Sequence, residues 1–172
     1  MNGPGEAYWM DDSSPLRDKV KLKAGRYGQL DTGLVVAVNM LGRHVDKIDV
    51  MDALFGKETF SFPAEDIETA EPIMRRKRNG AWVGPSGPIN RGISAVIVVS
   101  SLLPWSVAVE APQVFHNPYA RFSASTLANR LINHRPIGDQ MLAHDGEPMH
   151  SILGLAPGWP NEPRTVGEYV AT

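Results

Sequence analysis

A chain of 172 residues is one domain's worth of polypeptide, long enough to bury a core without covalent staples. It holds 42% hydrophobic and 21% charged residues and no cysteine, which excludes disulfides, a thiolate nucleophile and cysteine-ligated zinc or iron–sulfur sites. The formal net charge of −2 argues against a dedicated nucleic-acid binder on bulk charge, although the charge is unevenly distributed.

Residues 1–13, with Gly3-Pro4-Gly5 and few groups able to dock, read as a flexible N-terminus. No apolar run is long enough to cross a bilayer. Glu6, Asp11 and Asp12 stand where a signal peptide would be basic and then apolar, so the expectation is a cytoplasmic protein. Ser14-Pro15 is a good helix start, and Leu16, Val20, Ala24 and Tyr27 recur on one helical face up to Gly28. Leu34 to Asn39 reads as a short buried strand. Val45, Ile48, Met51, Leu54 and Phe55 describe a second helix over about 44–55, with Gly56 as a left-handed cap. Glu58 to Phe62 alternates as a half-exposed strand, and residues 63–72 form a loop or helical turn. Asn79-Gly80 then predicts a hairpin between Ile73–Arg78 and Ala81–Val83.

The run Ile93 to Val99 is too continuous for a strand with one wet face, and it is expected at the centre of the sheet. Pro104-Trp105 turns the chain toward a short strand, Gln113 to Phe115. Leu127 and Leu131 suggest a third helix over 123–134, and Gly and Pro then recur through an extended tail, 135–172. The expected fold class is α/β (or α+β): a single domain at 14–134 with a mixed central sheet flanked by helices, and a Gly/Pro-rich C-terminal tail.

Three places invite a functional reading. His116-Asn117-Pro118 ends a strand; a turn in which the Asn bonds nearby backbone is the plain reading, and a catalytic site on His116 and Asn117 is the other. Residues 16–27 carry Arg17, Lys19, Lys21, Lys23 and Arg26 against Asp18, five minus one or +4, and Arg75-Arg76-Lys77-Arg78 is a second basic cluster. Such clusters are usually solvated faces; a phosphate-tracking surface would need both on one side of the molecule. His144, Asp145, Glu147 and His150 match no standard metal spacing and read as a polar turn, so no metal and no cofactor is expected. Gly84-Pro-Ser-Gly-Pro88 lacks the second glycine of a nucleophile elbow.

Lys21-Leu-Lys-Ala-Gly-Arg-Tyr-Gly28 leading into Leu34-Val-Val-Ala-Val-Asn39, with Pro104-Trp105 and His116-Asn117-Pro118-Tyr119-Ala120 beyond, resembles the C-terminal half of restriction-endonuclease-like (PD-(D/E)XK) proteins, including uncharacterised bacterial ones, over about residues 16–120. The resemblance implies a helix and strand following the family's lysine strand. That family sets an acidic residue two positions before a lysine, to hold a divalent metal and steady the attacking water. Here the residues two before the six lysines are Arg17, Lys19, Lys21, Val45, Phe55 and Arg75, so no catalytic residue carries over. The expectation is a non-catalytic or partner-dependent relative, nucleic-acid-associated through Lys19, Lys21, Lys23, Arg26, Arg75, Arg76, Lys77 and Arg78. The alternatives are a small hydrolase at His116 and Asn117, and a structural module that forms homo-oligomers through its tail.

Overall fold

The computed structural model describes residues 13–41, 46–62, 71–124, 130–138 and 140–160. In chain order they form α1 (Ser13–Arg26), β1 (Leu34–Met40), α2 (Lys47–Phe55), β2 (Glu58–Ser61), β3 (Ile73–Arg76), β4 (Val83–Gly84), β5 (Gly87–Pro88), β6 (Ile93–Ser100), β7 (Gln113–His116), β8 (Ile132–Ile137), β9 (Gln140–His144) and α3 (Met149–Leu153). A five-stranded mixed sheet runs β1-β6-β7-β8-β9, and β2–β3 and β4–β5 are separate two-stranded ribbons. The pairs β1–β6 and β7–β8 are parallel, while β6–β7 and β8–β9 are antiparallel. This is the expected α/β class with a mixed sheet.

Apolar spacing decides which faces meet. α1 buries Leu16 and Val20, and α2 buries Val50, Ala53 and Leu54; both rest on one sheet face built from Val36, Val38, Val96, Val98 and Phe115. Trp82 fills the same core, edge-on to Phe55 at 4.7 Å. On the other face Ala95 and Val114 pack with Leu131, and Met149 and Ile152 of α3 lean on them. The uninterrupted Ile/Val run of β6 therefore has cover on both sides. β1 does not: Ala37 and Asn39 are exposed, so it is buried on one face only. Nor is β6 the middle strand, because β7, only four residues long, pairs on both sides and takes that place.

Three local expectations give way to long-range pairing. The hairpin at Asn79-Gly80 does not form; β3 pairs with β2, and Val83–Gly84 turns back onto Gly87–Pro88. Ala81 and Trp82 instead donate their N–H groups to the carbonyls of Ala53 and Leu54, and Asn79 Oδ1 accepts from Lys57 N at 3.0 Å, so this segment closes the C-terminal end of α2. Gly56 ends that helix at φ 98°, ψ 152°, not in the left-handed helical region, with the Lys77 carbonyl 1.9 Å from where a Cβ would stand.

The helix expected over 123–134 is also corrected: Ile132 to His134 lie in β8, while 125–129, including Leu127, fall outside the described residues. Leu131 packs on the second sheet face, and β8 gains two strand neighbours that a helix would forgo. A boundary at 134/135 would cut β8, so residues 135–137 and 140–144 belong to the sheet and not to an extended tail. The expectations for residues 1–12, for most of the turn at 63–72 and for 161–172 lie outside the described residues.

Candidate functional site

β7 and the turn after it carry His116 and Asn117. Asn117 is buried, and its amide donates to the carbonyls of Ile93 at 2.8 Å and Asn90 at 3.3 Å while its oxygen accepts from Tyr119 N at 2.9 Å. Both amide hydrogens are thereby spent on holding the turn against the start of β6. His116 is half-buried beside a cleft of about 500 Å³ that Ser94, Ser123, Phe122 and Arg135 also line. Burial, reinforced by the Arg135 guanidinium, lowers its pKa from 6.5 to about 4, against the pull of the Asn133 side chain in the other direction. The ring is therefore neutral at pH 7, and its Nε2 is buried without a hydrogen-bond partner.

What is missing is a second group to work with. No carboxylate lines the cleft among the described residues. Ser94 lines the same cleft at the point where the β1–β6 register slips by one residue, and its Oγ lies against Gly33. No hydrogen bond joins it to His116, since Ser94 Oγ and His116 Nε2 are each buried without a partner.

The basic residues divide into groups with different tasks. On α1, Lys19, Lys23 and Arg26 are spaced i, i+4, i+7 and form one stripe, whereas Lys21 lies on the other flank with Arg17. None of these four site residues has an ion pair among the described residues, while Arg17 pairs with Asp18. On the ribbon, Arg76 is a structural group: its guanidinium reaches Asp52 at 3.1 Å, the Gly56 carbonyl at 2.8 Å and Glu58 at 3.7 Å. Arg78 donates to the Pro85 carbonyl at 3.3 Å. Arg75 and Lys77 are exposed and carry no ion pair among the described residues.

A second cleft, of about 370 Å³, escaped the sequence reading. It opens where the parallel strands β1 and β6 end and α2 begins, the usual place for ligands in open α/β sheets, and Asp46, Lys47, Ser100, Glu110 and Gln113 surround it. Behind it the His134 ring stacks on Phe115 at 4.6 Å and bonds the Gln113 side chain through Nε2 at 2.8 Å. Burial, then the charge of Lys47, lowers the pKa of His134, and its Nδ1 is buried without a partner. The helix terminus itself is closed, because Asp46 and Asp49 bond each other's backbone N–H groups in a capping box. These residues come from four separate stretches of chain, so no local spacing could announce them.

The remaining candidates are structural. Glu147 is held by Arg130 at 2.5 and 2.7 Å, and among the described residues no three His, Asp or Glu side chains gather as a metal site would require. Of the aromatic side chains, Trp82 is fully buried and out of reach of a ligand, whereas Trp105 is exposed. No match to the chain was found among family models, curated proteins or solved structures.

Proposed function

We propose that this chain is a non-catalytic nucleic-acid-associated domain of restriction-endonuclease-like kind, one that depends on a partner for any cleavage chemistry. The observation that carries the reading is the α1 stripe Lys19, Lys23 and Arg26, a row of cations without counter-ions among the described residues, on a chain whose net charge is −2. A row of this kind is matched to a phosphate backbone, where each contact releases condensed counterions. Arg75 and Lys77 are further exposed cations on the ribbon, whereas Arg76 and Arg78 serve mainly the ribbon and the loop after it. The missing acidic residue before each lysine supports the non-catalytic part of the reading.

The hydrolase alternative is weaker, since Asn117 has no amide hydrogen to spare and no carboxylate lines the His116 cleft among the described residues. An oligomer built on the tail loses much of its basis once residues 135–137 and 140–144 are counted in the sheet. The reading is tested by the affinity for labelled duplex DNA of the native chain and of the triple variant Lys19→Glu, Lys23→Glu, Arg26→Glu, with circular dichroism as the check on folding. At least a tenfold loss is expected; equal affinity, or no binding by either protein, refutes it.

A further inference from the structure

β1 is the outer strand of the five-stranded sheet and, among the described residues, pairs only with β6. Its sequence, Leu-Val-Val-Ala-Val-Asn-Met, contains no charge, proline or glycine, the means by which edge strands commonly discourage further pairing. Ser101 N donates to the Met40 carbonyl at 3.0 Å, so Met40, Val38 and Val36 turn their backbone groups toward β6. By the two-residue period, Val35, Ala37 and Asn39 turn their N–H and C=O groups outward. Leu30 and Leu41, both exposed, bracket the edge.

Unpaired groups in this geometry recognise an extended backbone. A second copy of the chain is a poor occupant. α1 touches β1 and also packs on α2, whose Val50 lies by Val98 and Phe115 of β6 and β7, so α1 occupies the β1 side of the helical layer. Two copies joined antiparallel through β1 would place their α1 helices on the same face as neighbours, each bringing the local +4 of residues 16–27. Like charges at that junction oppose self-pairing, and the same charges favour an acidic neighbour.

We propose that the β1 edge accepts an extended strand from a different polypeptide, flanked by acidic side chains that face α1. The open edge rests on backbone groups that take no part in nucleic-acid binding, whereas the acidic flank draws on the same α1 cations as that reading. The probe is a synthetic peptide of alternating valine and threonine with glutamates at both ends, added to the full chain. Amide exchange is read residue by residue, and affinity by fluorescence anisotropy. The amides of Val35, Ala37 and Asn39 should exchange rapidly in the free chain and become protected with peptide. Ala37→Pro, which removes one outward donor, should weaken binding at least tenfold. If that variant fails to fold, the Lys19, Lys23 and Arg26 glutamate variant should lose the same factor for this peptide and none for a glutamate-free version. The proposal is overturned by protection of those amides in the free monomer, by dimerisation of the chain through β1, by binding that leaves them unprotected, or by no binding up to the solubility limit of the peptide.

Discussion

His116 and Asn117 are neighbours held in place for different reasons, and each makes its own forecast. Asn117→Ala strips hydrogen bonds from two backbone carbonyls and one backbone N–H while opening a small void. We expect a loss of about 2–4 kcal/mol in urea unfolding, with the slope of the transition unchanged. His116 is disfavoured as a cation when folded, so between pH 6.5 and about 4 the unfolded chain takes up a proton that the folded chain refuses. Stability should therefore be level above pH 6.5, fall as the pH drops toward 4, and level again below. A sealed ring would contribute roughly 3 kcal/mol, but this one is half-buried, and solvent screening brings the expectation to on the order of 1–2 kcal/mol. His134 adds in the same direction. His116→Gln should flatten that part of the profile. A ring titration by NMR with a midpoint near 6.5 in the folded protein would contradict the assignment.

Elements with complete local signals could be read directly, and those whose signals were shared with distant partners could not. α1 declares itself through Ser14-Pro15 and α2 through its apolar spacing, and their core residues follow the helical period; Ile48 and Tyr27, which fit the same period, are nevertheless exposed. The β6 run is legible because seven consecutive buried or half-buried positions leave no wet face. β8 was not legible, since Leu131 carries a helical spacing while Asn133 and His134, polar residues with low strand preference, are buried between β7 and β9. Asn79-Gly80 misled for a related reason: its neighbours' donors are claimed by the end of α2. The candidate site divides the same way, with the basic stripe readable in sequence and the cleft at Lys47, Gln113 and His134 assembled only by the sheet. Two measurements probe this scale. Asp46→Ala removes a cap whose partner is Asp49 N and should cost about 1 kcal/mol. Slow amide exchange in β8 should disappear together with that of β9; independent loss would indicate that the two do not share a ladder.

At the scale of the whole molecule, a helical layer covers one face of a mixed sheet, α3 leans on part of the other, and a cationic helix rides above an unprotected edge strand. The α1 cations and the open edge of β1 thus lie together, whereas the half-buried histidine with which a hydrolase would have to work sits on β7, two strands in. The salt dependence of binding to duplex DNA tests this arrangement most directly. If the α1 stripe tracks the phosphate backbone through Lys19, Lys23 and Arg26, log affinity falls linearly with log salt, and the triple glutamate variant reduces the slope by about 2.7, or roughly 0.9 for each lost contact. An affinity indifferent to salt, or a slope that the three substitutions leave unchanged, would contradict the account.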